Sequence, residues 1–169
     1  MSNRQYTIPD EIIASNRQRF VNVVIDYVAR LGLTFIIGMI AAIIGVLTGN
    51  EDIVLFFQNI TRIQELTIGL VVLLLYYNVF EIFFGTTVGK LMTKTVVVDE
   101  YGEKPTANAV LIRSLCRLIP FEVFSFFGTP CVGWHDSLSK TYVVNKEDLR
   151  ISKELFHSFE QIGENPEAL

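Results

Sequence analysis

Charge is scarce in this chain. Asp, Glu, Lys and Arg make up 19% of its 169 residues, against roughly 25% in soluble domains. The net charge is −4, without the basic footprint that nucleic-acid binders carry, so no nucleic-acid partner is expected. Cysteine is scarcer still. Cys116 and Cys131 stand in apolar surroundings with no His or second Cys at metal-ligand spacing, and read as buried free thiols. No metal and no cofactor are expected. No secretion signal is expected either, because residues 1–16 are polar and the apolar run behind them is too long and lacks a small-residue cleavage site. The stretch Gly85-Thr86-Thr87-Val88-Gly89-Lys90 falls short of a phosphate-binding loop. It has three residues between its glycines rather than four, and Leu91 rather than Ser or Thr follows the lysine. It reads as a glycine turn leaving the membrane.

Apolar length is what the chain has in abundance. Half of its residues are hydrophobic, and 13 Phe lead its aromatics. From Phe20 to Leu47 the sequence is long enough to cross a bilayer core as a helix, which takes about 20 mostly apolar residues. A second run, Leu66 to Phe84, is also long enough. Ser15 and Gln18 fit a capping box for the first helix, and Gly49-Asn50 fits its stop. Gly38, Ala41, Ala42 and Gly45 form small-x-x-x-small pairs that permit close helix approach in lipid. Ile53 to Phe57, between the spans, reads as an interfacial segment.

The polar residues inside the first run are ordered. Arg19, Asn22, Asp26 and Arg30 follow one another at intervals of three, four and four, so they share one helix face. Tyr77, Asn78 and Glu81 crowd the last third of the second run. Lys and Arg concentrate before the first span and after the second, which by the positive-inside rule places both ends of the hairpin in the cytoplasm. Asp26, Arg30, Asn78 and Glu81 then lie at a similar depth and are expected to meet, with Asp26 and Arg30 also an i,i+4 pair. Ionisable groups at this depth point either to an ion or proton site or to a clamp between helices.

Thr93 to Val98 and Ser139 to Val144 both read Ser/Thr-Lys-Thr-x-Val-Val. Two such runs can pair and satisfy each other's edges. Between them, Asn108 to Arg117 is amphipathic, with Arg113 and Arg117 one turn apart. Leu118 to Gly133 is apolar but too short to span about 30 Å at about 1.5 Å per residue, and Pro120 and Gly128-Thr129-Pro130 break it. Re-entry returns the chain to the cytoplasm, while a single third crossing would leave the C-terminus outside. After Asn145, which suits an N-cap, Ile151, Leu155, Phe159 and Ile162 form the stripe of a surface helix, ended by Gly163 and Pro166.

The expected fold is an all-α membrane protein. Two transmembrane helices form a hairpin, joined by a re-entrant or third membrane segment and a small cytoplasmic two-stranded β element. Residues 1–18 form a cytoplasmic N-terminal segment. Residues 19–144 form the membrane domain, with spans 20–47 and 66–84 and the further segment at 106–133. Residues 145–169 form a cytoplasmic amphipathic tail. The expected setting is the bacterial cytoplasmic (inner) membrane.

Arg19, Asp26, the Gly85–Lys90 turn, Val96-Val97-Val98 with Gly102, Arg113, and His135-Asp136 before Thr141-Tyr142-Val143-Val144 together resemble the RDD family of prokaryotic membrane proteins. The resemblance covers roughly Arg17 to Val144. The family takes its name from one Arg and two Asp, which by match fall on Arg19, Asp26 and Asp136. Trp134, Glu81 and Glu122 depart from its pattern. Some members are proposed to exchange sodium for protons, and others sit beside genes for membrane or envelope proteins.

Two functions therefore stand as expectations. One is an oligomeric cation or proton transporter using Arg19, Asn22, Asp26, Arg30, Asn78, Glu81 and Asp136 as a polar site. The other is a non-transporting accessory or scaffold subunit. The partners implied are the lipid bilayer and either further copies of the chain or a larger membrane complex. His135, Asp136, Ser137 and Ser139 supply the residue types of a catalytic triad, but residues this close in sequence rarely reach its geometry. No enzymatic activity is expected. His135 reads as a hydrogen-bonding loop residue, and Asp136 as a turn or cap.

Overall fold

A computed structural model of the chain describes residues 5–127 and 131–164. Two long helices dominate it, α1 (Asn16–Thr48) and α3 (Arg62–Phe84), joined by the short helix α2 (Glu51–Gln58). Local chemistry sets their ends. Ser15 and Gln18 form the capping box of α1, and Thr61 and Gln64 form that of α3. Each such cap contributes about 1 kcal/mol. Gly49 and Gly85 close the two helices with left-handed backbones, φ 64° and 66°, a conformation that costs other residues a Cβ clash.

Both long helices are apolar outward. Only 6% of the most apolar stretch of α1 and 22% of that of α3 is buried within the protein, so neither is the core helix of a soluble fold. Their length and exposed Leu, Ile, Val and Phe suit a bilayer. Two of the small residues of α1, Gly38 and Gly45, face α2. A Cβ on Gly45 would lie 3.0 Å from Ile53 Cγ2, and one on Gly38 would lie 3.9 Å from the ring of Phe57.

At the opposite end from α2 the chain builds a cap. It comprises α4 (Val88–Met92), β1 (Thr95–Asp99), α5 (Ala107–Cys116), a 3-10 turn (Glu122–Phe127), α6 (Trp134–Ser139), β2 (Thr141–Asn145) and α7 (Lys146–Glu164). The two strands pair antiparallel, with Val97 opposite Val143. The repeated Ser/Thr-Lys-Thr motif produces the same local structure twice. In each copy a short helix ends, the lysine takes a left-handed backbone (Lys94 φ 57°, Lys140 φ 50°), and the second threonine opens the strand. The strands are therefore shorter than the repeated runs.

Both faces of this small sheet are covered, which explains its continuous apolar runs. Val98 and Val144 pack with Ile12 and, on the same side, Ile8, Val96, Tyr142 and Leu149. Val97 and Val143 pack with Ala14 on the other. The sheet's edges are also closed. Ala14 N donates to Val143 O at 2.8 Å, and Val97 N donates to Gly85 O at 3.2 Å.

The segment 106–133 leaves β1 and returns to β2, its hydrogen-bonded partner. A single crossing would carry β2 to the far face of the bilayer, away from β1. Its described helix, α5, has 10 residues, about 15 Å long and too short to span. The turn expected at Gly128-Thr129-Pro130 lies outside the described residues. Asn145 does cap α7, accepting from Glu147 N at 3.2 Å. That helix continues to Glu164, so Gly163 sits inside its last turn rather than ending it. Pro166 and the side chain of Ile162 lie outside the described set. The rest of its apolar stripe, Ile151, Leu155 and Phe159, is exposed. Cys116 and Cys131 are free thiols, half-buried rather than fully buried.

Candidate functional site

Between the cap and the adjoining halves of α1 and α3 lies a cluster of buried ionisable side chains. Arg19, Asn22 and Asp26 are all buried, as the helix-face spacing predicts. Their partners differ from those expected along the helix. Asp26 does not pair with Arg30 or Arg19. Its Oδ1 accepts from Tyr76 OH at 2.7 Å and from Gly89 N at 2.8 Å, and its Oδ2 accepts from Thr87 Oγ1 at 2.7 Å. These donors come from α3 and the first turn of α4, where a carboxylate is favoured by free backbone N–H groups. They occupy three of the carboxylate's roughly four acceptor sites, and Arg30, one turn along, makes no ion pair with it. Arg30 instead lies over the ring of Tyr27, 5.6 Å from its centroid.

Gly89 makes this arrangement possible. A Cβ there would sit 2.5 Å from Asn22 O, so only glycine lets α4 approach the backbone of α1 this closely. The Asn22 side chain lies between the hydroxyls of Thr93 and Thr95. In the amide orientation that satisfies both of its atoms, Nδ2 also donates to Gly89 O at 2.9 Å.

Arg19 reaches across to Asp136, which also binds Arg113. Arg113 is fully buried and joins two carboxylates. Its Nη1 holds Asp136 and donates to Thr141 Oγ1 at 2.7 Å. Its Nε lies 3.1 Å from Glu81 Oε2, an ion contact outside hydrogen-bonding angles. Glu81 takes two further cations, Lys90 Nζ at 2.6 Å and Arg117 Nη2 at 3.3 Å. Arg117 stacks 3.9 Å from the Tyr77 ring centroid, a cation–π contact.

The four-residue meeting of Asp26, Arg30, Asn78 and Glu81 does not form. Glu81 is drawn to Lys90, Arg113 and Arg117, since a fully buried carboxylate needs charge-assisted partners. Asn78 donates back to Leu74 O of its own helix at 2.8 Å. Asp136 is more than a turn residue. It accepts from Gly133 N at 3.1 Å as a cap of α6 and is also the shared anion of two arginines.

His135 is the hydrogen-bonding residue expected of it, its Nδ1 bound to Glu122 Oε1. Its Nε2 lies 3.3 Å from Asp136 Oδ1 outside hydrogen-bonding geometry, so a single ring proton suffices. Burial pushes its pKa down to about 4. Burial alone would raise the Asp136 carboxyl, but Arg113 and Arg19 outweigh it and hold the group well below the usual carboxylate range. Burial lowers the Lys90 ammonium to about 8, with Glu81 opposing the shift. Ser139 Oγ donates to His135 O at 2.5 Å rather than to the imidazole.

Arg19, Lys90, Arg113 and Arg117 are thus balanced by Asp26, Glu81, Glu122 and Asp136. A cavity of about 30 Å³ remains among them, lined by Asp26, Lys90, Arg117 and His135 among others, room for about one water. Among the described residues no group of three or more His, Cys, Asp or Glu could hold a metal. Sequence reasoning missed Tyr76, Thr87, Lys90, Arg113, Arg117, Glu122 and His135 as members of this cluster. The lysine and arginines were legible as topology signals. Glu81, the one charge within the spans without a partner on its own helix, was the sign that a cation from outside the spans was needed.

Two apolar helices able to span a bilayer, closed at one end by a charge-locked cap, define a small transmembrane protein. A model of the RDD family matches residues 13–137, and the chain belongs to that family. Comparison with curated proteins and with solved structures finds no match.

Proposed function

We propose that the protein is a non-transporting accessory or scaffold subunit of a membrane or envelope complex, in the bacterial cytoplasmic membrane with its cap and both termini on the cytoplasmic side. One observation carries this reading. The charges gathered in the cluster, Arg30 apart, are matched four to four, and Asp26 is held by hydrogen bonds from Tyr76, Thr87 and Gly89. An ion entering such a network must first break pairs whose loss leaves a buried charge uncompensated, at about 3–5 kcal/mol each. A clamp of this kind instead holds the two spans to the cap and leaves their outer halves free for lipid, further copies of the chain or a larger complex. The concentration of Lys and Arg at the capped end supports the orientation.

The second reading is an oligomeric cation or proton transporter. It draws on the cavity beside Asp26, which shares Val23, Tyr77, Arg117 and His135 with a larger one of about 220 Å³. Purified protein in proteoliposomes distinguishes the two. The scaffold reading expects no dissipation of a proton gradient, with or without sodium, and recovery of a stable membrane partner on mild solubilisation. Sodium-dependent proton flux that disappears in a folded Asp26→Asn variant would overturn it.

A further inference from the structure

The cavity of about 220 Å³ has walls of two kinds. Val23 and Arg30 of α1 and Leu73 and Tyr77 of α3 form one side, and Arg117, Ile119, Phe121, Glu122 and His135 form the other. It lies at the depth where α1 and α3 meet the cap. Phe121, on a left-handed backbone at φ 66°, and Ile119 are both exposed at its rim.

Arg30 is the one cation lining it that has no carboxylate within 4 Å among the described residues, and its Nε is buried without a partner. The Nε of Arg117 is likewise buried and unpartnered. Glu122, the carboxylate in this wall, is already engaged by His135 and by Ser125 Oγ at 3.3 Å. The buried network is balanced four to four without Arg30, so the cavity carries one uncompensated positive charge at membrane depth. Such a charge is costly unless something pairs it.

We propose that this cavity binds the phosphodiester headgroup of an anionic phospholipid, with Arg30 and Arg117 holding the phosphate and the exposed Phe121 and Ile119 lying against the acyl chains. A phosphodiester carries a single negative charge, which neutralises Arg30. Guanidinium forks match its oxygens. Basic pockets between spanning helices take anionic headgroups by this chemistry. A free phosphate anion shares the polar part of the match but not the apolar rim. The assignment is independent of whether the protein scaffolds or transports.

The test uses full-length protein in nanodiscs of phosphatidylcholine alone or with phosphatidylglycerol. Phosphatidylglycerol should raise the unfolding midpoint by about 2–4 °C. The rise should vanish in Arg30→Gln and persist in Arg62→Gln, whose arginine is exposed at the other end of α3. Native mass spectrometry of the unmodified protein should find retained phosphatidylglycerol in preference to phosphatidylcholine. Failure of that preference, or an undiminished rise in Arg30→Gln, overturns the proposal. So does an equal rise from inorganic phosphate in phosphatidylcholine discs, which would make the site one for free phosphate.

Discussion

Asp26 and Asp136 are both buried in the same polar cluster, yet opposite chemistry holds them. Asp26 is surrounded by neutral donors: two hydroxyls and one backbone N–H at the start of α4. Asp136 is clasped by two guanidiniums, Arg19 and Arg113. The first ties α1 to α3 and α4 through directional hydrogen bonds. The second ties α1 and α5 to α6 through charge. Losing the negative charge therefore has different consequences at the two sites. At Asp26 the donors are neutral and the two hydroxyls can reorient. At Asp136 the buried Arg19 is stranded and the buried Arg113 keeps only Glu81. A residue's place in a family motif says little about the forces acting on it.

The largest effect should come from Asp136→Asn. It leaves Arg19 and Arg113 without their shared anion, at about 3–5 kcal/mol, a large share of a small protein's stability. Thermal unfolding in detergent should show either a steep drop in midpoint or no folded protein at all. A midpoint near that of the unmodified protein would mean that the arginines do not depend on Asp136.

Gly89→Ala should follow. Its Cβ would press on Asn22 O at 2.5 Å, forcing α4 from α1 and drawing Gly89 N from Asp26. Overpacking of this kind costs about 1–3 kcal/mol. Backbone does not move aside as a flexible side chain can, so the loss should persist when Asn22 is shortened to Ala. Full rescue by that second change would show that the contact is not with backbone.

Asp26→Asn should cost less than Asp136→Asn. The amide oxygen can still accept from Tyr76 and Gly89, and Thr87 Oγ1 can accept from the new NH2. What is lost is the charge assistance of the hydrogen bonds, about 1–2 kcal/mol. Side-by-side unfolding of the two variants sharpens the comparison, and equal losses would break it.

The smallest effect concerns pH. The His135 imidazole titrates at about 4 in the folded protein, against 6.5 for an ordinary histidine, because burial disfavours its charged form. As the pH falls, the unfolded chain takes up this proton first, which favours unfolding. The His135 contribution should be complete above about pH 6.5 and decline as the pH falls through about 4. Below that it should not change further. His135→Asn should flatten the midpoint over this window. Retention of the full slope in that variant would assign the pH dependence to other groups.

Hydropathy and capping residues alone specify the two spans. Burying some twenty apolar residues as a helix is a local property, and so are the Ser15–Gln18 cap and the Gly49 and Gly85 stops. The doubled Ser/Thr-Lys-Thr motif points to the strand pair for the same reason, since each copy needs a partner for its edge. The helix-face spacing of Arg19, Asn22 and Asp26 is legible too, and all three are buried. Their partners are not. Nothing in the spacing of α1 shows that Gly89 lets α4 lie against it, or that the hydroxyls of Tyr76 and Thr87 then reach Asp26 before Arg30 does.

Sequence periodicity determined that Arg19, Asn22 and Asp26 of α1 face inward, because a helix presents one face at a fixed interval. Only the tertiary structure decided which charge meets which. That choice rests on contacts between residues as far apart as Arg19 and Asp136. Their distance is set by the packing of the 3-10 turn against both α1 and α6, a property that no local pattern encodes.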